Sequence, residues 1–221
     1  MTVEVEGGDL ELAAALLRRY PLCELVDFVE DDYLVSRVPL TVLKATEGDL
    51  TLLGHVSRTN PHPRAWPRPH PTLGLVAGAH TYVSPTCYER QPAVPTWNYC
   101  SVKFTGRIEL IEDGEDSFEA LLTTASEIDP KLLYGEHMGD TLSYYQKLLP
   151  AILTFRYHID QVKITQKTSG HRSDVDRAAI SAFASRTPFS SGDDYRDLVE
   201  WLDAGQWKAT AQAEEPSASG T

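Results

Sequence analysis

His62, held between two prolines in "NPHP" (Asn60 to Pro63), is the side chain in this sequence best prepared to hold a metal. Flanking proline rings remove backbone freedom that fixing a ligand would otherwise cost, and neutral imidazole is the commonest metal ligand. His55, at the end of a β-rich run, is the second choice. Each also has a plainer role: His62 as a solvent-exposed loop histidine, His55 as a hydrogen-bonded cap on a strand. Arg58, Arg64 and Arg68 gather beside the same loop. Their guanidinium forks suit anionic groups, or they form a solvated basic patch on an acidic protein. Trp97, Asn98 and Tyr99 in "PTWNY" offer a flat wall and polar edges to a planar ring, or are core residues at a strand entry. Glu136, His137 and Asp140 share the short stretch "GEHMGD", where a carboxylate or imidazole could take a proton from an amine and where Asp140 could instead cap a helix. Cys87 is a weaker ligand, because nothing beside it lowers a thiol pKa.

These residues need a scaffold, and composition bounds it. A chain of 221 residues with 42% hydrophobic content can build one domain with a real core. The net charge of −12 repels a phosphate backbone, so direct nucleic-acid binding is not expected. There is no apolar run long enough for a membrane helix, and "MTVEVEGGDL" carries acids where a secretory signal carries bases, so a cytoplasmic location without membrane attachment is expected. Cys23, Cys87 and Cys100 show no metal spacing and read as free thiols, Cys23 and Cys100 in the core. Gly-rich phosphate loops, H-E-x-x-H and G-x-S-x-G elements are absent from the sequence.

The pattern of apolar residues then assigns elements. Leu10, Ala13, Ala14 and Leu17 predict a helix over 10–19. Three β-rich stretches follow up to Ser57, then five prolines over 59–72 stiffen a loop. Strands are predicted in "TLGLVAGAHTYVS" and "NYCSVKFTGRIELIED". Asp116 with Glu119 predicts a capped helix burying Phe118, Leu121, Leu122 and Ala125, and a second helix is predicted over 140–149. "AILTFRYHIDQVKITQKT" reads as a strand pair turning near Ile159 to Gln161, and helices are predicted over 173–184 and 195–202. Six or seven meandering strands point to a small closed barrel, whose interior fills with side chains, so that ligands bind at a rim or between subunits. A single domain over residues 1–208 and a disordered tail over 209–221 are expected.

"GHVSRTNPHPRAW", "GAHTYVSPTCY" and "VPTWNYCSV", in this order, resemble the PaiB-like FMN-binding regulators among the split-barrel flavoproteins related to pyridoxamine phosphate oxidase. "KITQ" (Lys163 to Gln166) and Asp176 with Arg177 resemble that family's closing elements. The resemblance spans roughly residues 10 to 180 and implies an α+β, mainly β, split barrel with peripheral helices, forming a homodimer that binds a planar cofactor at the subunit interface. Arg37, Pro63 and Cys87 stand where the family carries other residues, several near the flavin pocket. Keeping the scaffold while changing that pocket is similar to the haem-dependent piperazate synthase branch, which joins two nitrogens in side-chain N-hydroxylated ornithine. The resemblance therefore implies haem b, with His62 or His55 on the iron. Trp97, Asn98 and Tyr99 would line the cofactor, Arg58 and Arg64 would hold its anionic groups, and Glu136 and His137 would serve a small amino-acid substrate. FMN bound by the same residues, in a regulator or a redox protein, is the alternative.

Overall fold

A computed structural model describes residues 3–6, 10–46, 48–67, 70–133 and 138–205. The described residues form eight strands: β1 (Val3–Glu6), β2 (Leu22–Val29), β3 (Asp32–Pro39), β4 (Thr41–Thr46), β5 (Asp49–Ser57), β6 (Thr72–Val83), β7 (Thr96–Ile111) and β8 (Ile152–Lys167); buried and exposed residues alternate most regularly in β2, β6 and β7. Five helices accompany them: α1 (Leu10–Arg19), α2 (Gly114–Ile128), α3 (Met138–Leu148), α4 (Asp174–Ala184) and α5 (Asp193–Asp203). The strands run in the order β3-β2-β6-β7-β8-β5-β4, with β1 on β8. The fold is the expected α+β, mainly β, split barrel, but the sheet is not closed: its path ends at β3 on one side and β4 on the other. The small closed barrel that the meander suggested is therefore not formed by strand pairing.

The chain divides into two compact units, and β6, β7 and β8 each contribute to both. The first holds β1, most of α1, Ala77–Val102, and the chain from Lys163 through α5. Its buried side chains include Leu16, Val83, Cys100, Ile164, Ile180, Tyr195 and Leu198. α1 forms over the predicted residues and is buried at every position from Leu12 to Leu17, with Glu11 exposed and Arg18 and Arg19 half-buried at its ends.

The second unit is Leu17–Val76 with Lys103–Val162. It pairs β2 with β3 and β6, and β5 with β4 and β8, all antiparallel. Leu25, Leu40, Leu50, Leu52, Phe104, Phe155 and Tyr157 are fully buried here. Gly106 is required by packing: a Cβ there would land on the main-chain carbonyl oxygen of His158 on β8. α2 begins earlier than predicted, because Asp113, not Asp116, is the cap; its side chain accepts from the N–H groups of Glu115 and Asp116. The helix buries Ala120 and Thr124 and leaves the predicted stripe half-buried. α3 buries none of its residues, and Asp140 lies in its first turn instead of capping it. β8 is one continuous strand of 16 residues, not a turned pair; Asp160 and Gln161 are both exposed, which shifts the alternation without reversing the chain. The three thiols are buried and free, and burial pushes Cys23 and Cys100 up to about 12. Cys87 is also raised, chiefly by burial, so no thiolate is prepared as a ligand.

Candidate functional site

The proline-braced loop folds into a single 3-10 turn over His62–Arg64. Pro61 already holds a helical φ of −74°, and Asn60 folds back so that its Oδ1 accepts from the His62 N–H at 2.9 Å. Asn60 Nδ2 also donates to Ser36 Oγ at 3.0 Å, fastening the loop to β3. This inserts the imidazole into the interior: His62 is completely buried, contrary to a solvent-exposed loop histidine.

Inside, His62 Nδ1 lies 2.8 Å from Asp27 Oδ2. A carboxylate can only accept, so Nδ1 carries the hydrogen, and in the neutral ring the lone pair is at Nε2. Asp27 is itself fixed, accepting from Trp66 Nε1 at 3.2 Å and from Thr72 Oγ1 at 2.9 Å. The Trp66 ring packs on Phe155 with centroids 4.9 Å apart. Tyr157 donates to the Thr72 carbonyl at 2.6 Å, and burial raises its phenol far above the ordinary value. His62 Nε2, by contrast, is buried without a hydrogen-bond partner. Carboxylate, oriented imidazole and open nitrogen form the arrangement used to hold metals, where the outer carboxylate fixes the tautomer and strengthens the ligand. Among the described residues no group of three or more His, Cys, Asp or Glu side chains is placed to hold a metal ion, so this imidazole would act as a single protein ligand.

Sequence reasoning found His62 and missed Asp27. The signal was present: in "LCELVDFV" the inward positions are Cys23, Leu25, Asp27 and Val29, and a charge on an apolar face needs a buried partner.

His55 is half-buried on β5; its Nδ1 is also buried without a partner, and desolvation lowers its pKa. Arg58 is exposed and donates from Nε to Pro150 O at 2.9 Å and from Nη2 to Ile152 O at 3.2 Å, pinning the start of β8. Arg64 is exposed. Arg68, Glu136 and His137 lie outside the described residues.

In the other unit, β7 separates the three residues of "WNY" by strand alternation. Trp97 and Tyr99 point outward, 43% and 38% exposed. Trp97 meets the rings of His80 and Tyr82, with centroids 5.9 and 6.0 Å away. Asn98 points the opposite way, fully buried, and donates to Ser169 Oγ at 2.9 Å and Tyr195 Oη at 2.8 Å. Burial pushes the Tyr195 phenol up to about 12. Trp97 and Tyr99 thus present a flat face, and Asn98 serves a different interior.

The fold defines a split-barrel protein, with an oriented, buried histidine in one unit and an outward aromatic face in the other. Residues 3–161 match the family described as "Putative FMN-binding domain", and the chain belongs to that family. It is 29% identical over 127 residues to Protease synthase and sporulation protein PAI 2 of Bacillus subtilis, covering 57% of this chain and 60% of that one. It is 25% identical over 96 residues to an uncharacterized protein of Saccharomyces cerevisiae, covering 42% of this chain and 57% of that one. The chain therefore spans less than two thirds of these curated relatives. Among solved structures, the flavocytochrome of Azotobacter vinelandii matches with a TM-score of 0.54 at 18% identity, over 79% of this chain and 74% of that one. The FAD and haem binding protein of Mycobacterium smegmatis matches with a TM-score of 0.54 at 19% identity, over 79% of each chain. At these identities the likeness is one of fold.

Proposed function

We propose that this chain is a haem-dependent enzyme on the FMN-binding split-barrel scaffold. In this reading a homodimer binds haem b with His62 as the iron ligand and converts side-chain N-hydroxylated L-ornithine to piperazate. The observation that carries the reading is the buried, unpartnered Nε2 of His62, aligned from behind by Asp27. A polar atom left without a partner in the interior costs about 1–3 kcal/mol, which a metal bond would offset. Two solved structures of the same fold are described as a flavocytochrome and as an FAD and haem binding protein, which supports a scaffold able to accept haem. Because Nε2 is closed to solvent in the single chain, its cover must part for iron to reach it.

Bound there, haem iron would supply a Lewis-acidic centre that polarises the N–O bond of the substrate. The chain's own residues do the rest. Asp27 holds the imidazole in one tautomer and keeps it electron-rich. Trp66 donates to Asp27 and packs on Phe155, which holds that carboxylate in place behind the imidazole. Arg58 and Arg64 remain the cations proposed for the haem's anionic groups, and the outward face of Trp97 and Tyr99, which belongs to the other unit, remains a proposed surface for a planar ring. The α-amine attacks the hydroxylated nitrogen, the N–N bond forms as the N–O bond breaks, and the hydroxyl leaves as water with the amine's proton, which Glu136 or His137 relays. Oxidation state balances within the substrate. Folding the substrate onto itself makes closure a well-oriented intramolecular step worth several kcal/mol, up to about 7–11 where the geometry is best.

The family's own description favours a second reading, an FMN-binding regulator or redox protein. Absorption of the purified protein separates them: a Soret band with conversion of N-hydroxylated ornithine to piperazate supports the synthase, and a two-humped flavin spectrum without turnover overturns it.

A further inference from the structure

The end of β8, the turn after it and the approach to β7 enclose a cleft of about 190 Å³, lined among others by Tyr88, Val94, Asn98, Lys167, Ser169 and Arg172. Two of these are cations in a chain of net charge −12. Lys167 Nζ donates to Thr96 Oγ1 at 2.6 Å, which leaves two ammonium hydrogens for another acceptor. Arg172 Cζ lies over the Tyr88 ring, 4.4 Å from the centroid, a cation–π contact that uses none of the guanidinium's N–H donors. Among the described residues neither cation pairs with a carboxylate. Asp176, whose charge reaches Tyr88, does not line the cleft and accepts from the Glu89 N–H at 2.9 Å.

The floor is rigid. Ser169 is a non-glycine residue at φ 62°, buried, with its hydroxyl bonded to the Asn98 amide, which Tyr195 also holds. Sparsely populated backbone conformations persist where the surroundings over-determine them, and they gather at ligand sites.

We propose that this cleft binds a small organic dianion, a short-chain dicarboxylate, with Arg172 and Lys167 each taking one carboxylate and the Val94 side chain and Tyr88 ring covering the carbon chain. The volume is several times that of a lone carboxylate and admits a carbon body. Phosphate is the poorer match because it has no carbon body to set against the Val94 side chain and the Tyr88 ring that line the cleft. Ornithine is disfavoured too, since its ammonium groups would face two cations. The site is thus separate from the substrate named above and independent of haem.

The test titrates the isotopically labelled full chain with succinate, inorganic phosphate and L-ornithine, following the Arg172 Nε–H and Asn98 amide signals by NMR and affinity by calorimetry. Succinate is expected to saturate and move both signals, with affinity falling about tenfold or more in Arg172→Gln and in Lys167→Gln, as loss of a charge-assisted bond requires. Arg172→Lys should fall between, keeping charge and losing the fork. No saturable shift, tighter binding of phosphate or ornithine than of succinate, or undiminished binding in folded Lys167→Gln would each overturn the proposal.

Discussion

At the scale of single residues, the account turns on one imidazole and the carboxylate behind it. Asp27 accepts three hydrogen bonds, from His62, Trp66 and Thr72, so its roles in packing and in ligand tuning must be separated. Asp27→Asn keeps an acceptor of the same shape but removes the charge. It should weaken haem binding about 10- to 100-fold, the usual cost of losing an outer-shell partner, and move the iron potential to a more positive value. A potential equal to that of the wild type would assign Asp27 to packing alone. His62 was legible from its prolines, because they are local; its burial was not, since that depends on Asp27, whose contact spans 35 residues of sequence. The separation of Asn98 from Trp97 and Tyr99 was legible in principle, from strand alternation, once "WNY" is placed on a strand rather than in a turn.

At the scale of elements, regular periodicity carried the reading and local irregularity defeated it. α5 shows Tyr195, Leu198 and Val199 buried at i, i+3 and i+4, as its spacing demands. Two polar residues interrupt the alternation of β8, so its sequence predicts two strands, yet pairing with β5 over Ile152–Ile159 and with β1 over Lys163–Gln166 keeps it extended. The start of α2 was misplaced by three residues because several acids compete for the cap, and only geometry selects Asp113. Gly106 makes the strand scale testable. Gly106→Ala forces a methyl onto the His158 carbonyl, backbone that cannot step aside as a side chain can. We expect a loss of about 3 kcal/mol or more, the upper end of overpacking costs, seen as a lower denaturant midpoint. An unchanged midpoint would show that β7 and β8 are not in this contact.

At the scale of the whole molecule, family membership over residues 3–161 was legible because three dense motifs fix the scaffold in order. Cofactor identity is a property of a few positions on that scaffold, and fold likeness does not transmit it. The described residues contain no helix long and apolar enough to cross a membrane. The central claim is that His62 Nε2 is the nitrogen iron would use. It is tested most directly in the absorption spectrum of haem-reconstituted His62→Gly, with and without added imidazole. The account predicts that the Soret band of the wild type is lost or strongly shifted in the variant and restored by imidazole, which enters the space the side chain vacates. A His62→Gly protein that binds haem with the wild-type spectrum and does not respond to imidazole would contradict it.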